Sequence, residues 1–126
     1  MISYQVYKVV HIIGIILLMA GLGAAISYAL AASAPGLVAP RRLIGAFHGT
    51  GAFLILLGGF GMLARLGIMQ GGASFPGWLW VKLVIWALLV AALIVARRRP
   101  SLVRPVLFSL PVLGGLAAYM AIYKPF

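Results

Sequence analysis

The chain contains no Asp and no Glu, although it carries ten Lys and Arg. A soluble domain of ordinary composition is about 25% charged and uses both signs. Here charged residues are 8% of the chain and hydrophobic residues 65%, and mean hydropathy is +1.20. Hydrocarbon is therefore the solvent for most of the surface. An ionised side chain at the bilayer centre costs roughly 2.5–3.5 kcal/mol on insertion scales, so cations are confined to span ends or to the protein interior. The missing carboxylates also exclude paired-acid catalysis, a carboxylate-oriented triad and a carboxylate metal cage. With no cysteine, disulfides and thiolate metal sites are excluded as well.

A membrane span needs about 20 apolar residues. The sequence predicts four, at roughly 5–31, 43–69, 78–96 and 106–123, separated by breaker-rich segments. Ser33-Ala34-Pro35-Gly36 through Pro40 ends the first span, Gln70 through Gly77 the second, and Arg97-Arg98-Arg99-Pro100 the third. Such short connections make neighbouring spans antiparallel. The expected fold is an all-α, four-helix transmembrane bundle in one domain, with no room for a soluble one. Ala32-Ser33-Ala34 looks like a signal-peptidase site, but the apolar run before it is longer than a signal core, so the first helix is expected to be retained.

Charge sets the orientation. The first and third loops hold six cations, Arg41, Arg42, Arg97, Arg98, Arg99 and Arg104, and the other side holds four, Lys8, Arg65, Lys82 and Lys124. By the positive-inside rule the arginine loops are cytoplasmic. Both termini then face outward, to the periplasm for a bacterial inner-membrane protein. The six arginines are expected to contact phosphates of anionic lipids, each worth about 1 kcal/mol. Nucleic acid is not expected as a partner, since aromatic and basic residues are not interleaved and no domain presents them. Trp78 and Trp80, with Tyr4, Tyr7, Tyr119 and Tyr123, read as an interfacial aromatic belt.

Between helices in lipid there is no hydrophobic drive, and association relies on small residues that let backbones approach. His11, Gly14, Leu18, Gly21 and Ala25 fall on one stripe of the first helix. His48, Gly51, Ala52, Ile55 and Gly59 do so on the second, where Gly45 and Gly49 also form a G-x-x-x-G pair. Gly14, Gly21, Gly45, Gly49, Gly58 and Gly59 are thus candidate packing positions. They either serve ordinary packing or make room for a flat ligand beside the histidines.

Two histidines in a hydrophobic bundle suggest a haem held by both, but depth argues otherwise. His11 lies about two turns from the outer side and His48 about one and a half from the cytoplasmic side. On antiparallel helices they differ in depth by roughly 12–20 Å. A different convergence is expected from depth alone. Lys8 and His11 share a face, Lys82 opens the parallel third helix at the same level, and Arg65 returns to it from the second. His11, Arg65 and Lys82 are candidate ligands for an anionic group, such as a haem bearing propionates or a lipid headgroup, with His11 as candidate axial ligand. The competing reading is that Arg65 and Lys82 snorkel to the interface and His11 bonds a backbone carbonyl. His48 reads as a helix–helix hydrogen-bonding residue.

The segments Tyr7-Lys8-Val9-Val10-His11-Ile12-Ile13-Gly14 and Trp78-Leu79-Trp80-Val81-Lys82-Leu83 resemble the HemJ/CopD/SirB group of small membrane proteins. In HemJ, a protoporphyrinogen oxidase, a first-helix histidine in a K-x-x-H context and a lysine opening a later helix matter for haem binding and activity. His11 and Lys82 match those positions, so the resemblance implies haem b as cofactor. A copper role of the CopD kind finds no methionine cluster, since Met19, Met62, Met69 and Met120 are scattered and read as core.

Two functions are expected from these features. The first is a non-enzymatic accessory subunit of a larger membrane assembly of bioenergetic kind, since chemistry is scarce and a net charge of +10 invites acidic partners or anionic lipids. The second is a HemJ-like haem-b protein with redox or tetrapyrrole-related activity. Proton-coupled transport is not expected without an intramembrane acid. The orientation has a direct test: a reporter fused after Phe126 that is active only in the cytoplasm should stay silent, and strong activity would reverse the topology.

Overall fold

The structure is a computed structural model and describes residues 2–67 and 75–126. Four helices make the fold: α1, Tyr4–Leu30; α2, Arg41–Leu66; α3, Gly77–Arg98; and α4, Val103–Tyr123. Each helical run is long and apolar enough to cross a membrane. The predicted spans match within a few residues, and the stretch 68–74, which holds Met69 and most of the second predicted connection, lies outside the described residues. Helix ends follow local chemistry. The Ser3 hydroxyl accepts from the Val6 N–H to cap α1, and Gly67, at φ 69°, closes α2 in the left-handed conformation. A single 3₁₀ turn at Pro100–Leu102 leads into α4. Pro111 sits inside α4, which continues through it.

The closest pairing in the bundle is α1 against α2, and glycine makes it. A Cβ at Gly14 would stand 2.7 Å from the Ile55 nitrogen, at Gly21 2.9 Å from the His48 nitrogen, and at Gly58 2.6 Å from the His11 nitrogen. At Gly51 it would collide with the Leu18 nitrogen. These obstacles are backbone atoms of the opposite helix and cannot turn aside. Two backbones thus touch along four positions, the arrangement by which helices gain packing energy in lipid.

The seam has a sequence signature. His-x-x-Gly-x-x-x-Leu/Ile-x-x-Gly occurs at His11, Gly14, Leu18 and Gly21, and again at a constant offset of 37 at His48, Gly51, Ile55 and Gly58. The contacts obey the same offset: Gly14 on Ile55 is mirrored by Gly51 on Leu18, and Gly21 on His48 by Gly58 on His11. Helices α1 and α2 are therefore antiparallel copies of one motif, related by a pseudo-two-fold axis across their length. Positions 7, 11, 14, 18, 21 and 25 on α1 alternate in steps of four and three. That coiled-coil spacing favours a shallow left-handed crossing of about 20°.

Helix α3 closes the core from the other side. Leu18, Leu22 and Ile26 of α1 are almost wholly covered and cluster with Ile85, Leu89, Ala92, Leu93 and Ala96 of α3. Helix α4 is the peripheral element and buries Val103, Leu110 and Met120. A second cluster joins Leu63, Trp78, Leu79 and Met120 at the far end. There the Trp78 N–H donates to the Phe126 carbonyl at 3.1 Å, and the Lys124 ammonium stands 5.4 Å from the Trp78 ring centre. Trp78 is thus packed inside the bundle, whereas Trp80, 57% exposed, keeps the belt position.

Adding one methyl group separates the positions cleanly. Gly51→Ala or Gly58→Ala should destabilise the bundle by about 1–3 kcal/mol or more, the usual cost of overpacking. Gly49→Ala, with nothing within 4 Å of the new Cβ, should be neutral or stabilising by up to about 1 kcal/mol through helix propensity. Thermal unfolding in detergent reads both, and equal effects at Gly49 and Gly58 would displace the seam.

Candidate functional site

Helices α2 and α3 meet differently from α1 and α2. Their contact is stitched by side chains that bond the opposite helix's carbonyls. His48 Nε2 lies 3.1 Å from the Leu89 carbonyl, Trp86 Nε1 donates to Ala52 at 3.0 Å, and Arg97 donates to Arg41 at 2.8 Å. His11 does the same between α1 and α2, with Nδ1 2.8 Å from the Ile55 carbonyl. In hydrocarbon a polar side chain needs such a partner, and each bond is worth about 0.6 kcal/mol, at most about 1.7. Among the described residues no buried side-chain nitrogen or oxygen lacks one.

A carbonyl only accepts, so these bonds fix which ring nitrogen carries the proton in each neutral imidazole. His11 is protonated on Nδ1, leaving the Nε2 lone pair for an external group. His48 is protonated on Nε2, leaving Nδ1. The two histidines hold equivalent backbone positions in the α1–α2 pseudo-symmetry, but their rings turn to different helices, His11 to Ile55 of α2 and His48 to Leu89 of α3, and carry the proton on opposite nitrogens. His11 stands beside Gly58 and His48 beside Gly21. They are separated by ten residues along each helix, about 15 Å at 1.5 Å per residue. One iron cannot take both, as their predicted depths implied.

His11 faces a groove between α2 and α3. Gly59 forms part of its wall, and a Cβ there would lie 3.5 Å from the His11 ring atoms Cε1 and Nδ1. Phe60, Leu63, Lys82 and Trp86 are among the other lining residues, around about 50 Å³ of open space. His11 and Lys82 therefore share one site, although they come from different helices. Arg65 does not line it and lies exposed in the last turn of α2, where a cation complements the helix C-terminus. His48 is 5% exposed and is a core residue of the α2–α3 contact.

The predicted glycines divide by role. Gly14, Gly21 and Gly58 touch backbone, Gly59 faces the His11 ring, Gly45 faces the Arg97 guanidinium at 3.6 Å, and Gly49 faces open space. The G-x-x-x-G pair at Gly45 and Gly49 does not bring two helices of this chain together. Arg41 and Arg42 open α2, Arg97 and Arg98 end α3, Arg99 caps it and Arg104 opens α4, so the six arginines gather at one end of the bundle. Trp86 is the site residue that the sequence reading passes over. It lies in mid-span, away from both interfaces, and an indole N–H at that depth requires an acceptor.

Comparison with family models, with curated proteins and with solved structures gave no match to this chain.

Proposed function

We propose that the chain is a small integral membrane subunit, without catalysis of its own, that joins other membrane proteins through its lipid-facing helices. The observation that carries this reading is glycine without internal use. Gly23 on α1, Gly49 on α2 and Gly115 on α4 have nothing within 4 Å of where a Cβ would stand. Glycine in a helix interior costs about 1 kcal/mol relative to alanine, and in lipid its return is close approach by another helix. The net charge of +10 without a single side-chain carboxylate supports acidic partners or anionic lipids around it. The orientation that suits this reading has the arginine end in the cytoplasm of a bacterial cell and both termini in the periplasm.

A second reading, a haem-b protein like HemJ, is favoured by the His11 geometry. An imidazole whose Nδ1–H is held by a backbone carbonyl presents Nε2 as metal-binding histidines do, and Lys82 beside it suits an anionic substituent. The ligand chemistry fits, but the space does not. The groove's open volume of about 50 Å³ is well below the roughly 300–1,000 Å³ of a small-molecule site. A macrocycle would need neighbouring helices or lipid to form the rest of its pocket.

One preparation tests both readings. Native mass spectrometry after gentle extraction should show the chain with another membrane protein, and Gly49→Leu should lose that partner while keeping its thermal stability. A wild-type chain that is always alone removes the subunit reading. A pyridine haemochrome spectrum on protein prepared with haem available decides the second. A Soret band lost in His11→Ala and kept in His48→Ala supports it, and no band in the wild type ends it.

A further inference from the structure

An open cavity of about 260 Å³ lies far from His11, at the arginine end. The end of α1, the segment 31–40, the start of α2 and the end of α3 form it. Ala25, Ala29 and Ala96 give it smooth apolar walls, and Tyr28, Arg41 and Arg97 supply its polar edge. Among the described residues, Arg41 and Arg97 are the charged members of its lining. With no Asp or Glu in the sequence, no side chain of this protein can neutralise them.

Arg97 differs from the other arginines at this end. It is half-buried where Arg41, Arg42, Arg98, Arg99 and Arg104 are exposed. One of its N–H groups is spent on the Arg41 carbonyl at 2.8 Å, and its guanidinium lies over Gly45, 3.6 Å from where a Cβ would stand. That bond and that glycine hold the group in place and leave its other donors available. A fixed guanidinium is the side chain best suited to two phosphate oxygens at once. The cavity also sits where α1 and α3 end, and the ends of a span of about 20 residues are where headgroups begin.

We propose that this cavity is a binding site for the phosphate of an anionic amphiphile, held by Arg97 and Arg41, with Tyr28 available to donate its hydroxyl hydrogen. The volume falls just below the roughly 300–1,000 Å³ of a drug-sized pocket. It therefore suits a phosphate with its glycerol, the acyl chains remaining in the bilayer along the alanine walls. The site differs from general attraction of the arginines to the membrane surface, because it depends on the two arginines that line the cavity, Arg97 foremost, and not on total charge.

Native mass spectrometry in neutral detergent, titrated with phosphatidylglycerol, phosphatidylcholine or inorganic phosphate, tests it. Phosphatidylglycerol should be retained in preference to phosphatidylcholine. Arg97→Gln should weaken that retention about tenfold, the scale of one lost charge-assisted pair. Arg104→Gln, which removes the same charge outside the cavity, should change it less than about twofold. Arg97→Lys, which keeps the charge but loses the fork, should fall between, and it serves as the variant if Arg97→Gln does not fold. Arg97-dependent retention of inorganic phosphate without a gain from phosphatidylglycerol supports the phosphate site and makes its source a soluble ester. Equal retention of phosphatidylcholine, or equal losses in Arg97→Gln and Arg104→Gln, overturns the proposal.

Discussion

Two helix backbones in contact along four glycines are the feature on which the rest of this bundle depends. Lipid tails are as apolar as leucine, so burying leucine against leucine gains little in a membrane. What holds α1 to α2 is proximity itself, which only glycine at Gly14, Gly21, Gly51 and Gly58 permits. The contact sets the helix register, and the register sets everything polar. It places the Ile55 carbonyl where His11 can reach it and turns the His11 ring across Gly59 toward the α2–α3 groove. It also leaves His48 on the other side of α2, facing Leu89.

The pairing of α2 with α3 works by another principle. No glycine seam joins them, and His48, Trp86 and Arg97 instead donate to carbonyls of the facing helix. Among the described residues such inter-helix donors are few, and most lie at this contact. Such bonds leave the helices further apart than a glycine seam does, and that spacing opens the groove at one end and the larger cavity at the other. Close packing on one side of α2 and spaced packing on the other thus produce both candidate sites from the same bundle.

Much of the architecture was legible in the sequence because lipid imposes simple rules. Span length, breaker-rich connections and the grouping of arginines follow directly from the cost of charge and unpaired backbone in hydrocarbon. The His11 and Lys82 groove was legible too, from depth along antiparallel helices. Arg65 was placed there by the same rule but does not line the groove, because depth fixes level and not the direction a residue faces around its helix. The G-x-x-x-G pair at Gly45 and Gly49 misleads for a related reason. The contact repeats every seven residues, so Gly51 and Gly58 carry it, and the offset of 37 between the two histidine motifs was the visible signal. Trp78 looked interfacial by position, but the final residues of the chain fold back over it.

Direct observation of the seam in a bilayer is the sharpest test. Magic-angle-spinning NMR on carbon-labelled protein, diluted into unlabelled copies so that only contacts within one chain register, should give cross-peaks between Gly14 and Gly51 and between Gly21 and His48. Their absence, in a sample that still shows the contact between Trp78 and Phe126, would mean that α1 and α2 do not meet through their glycines, and the account built on that contact would fail.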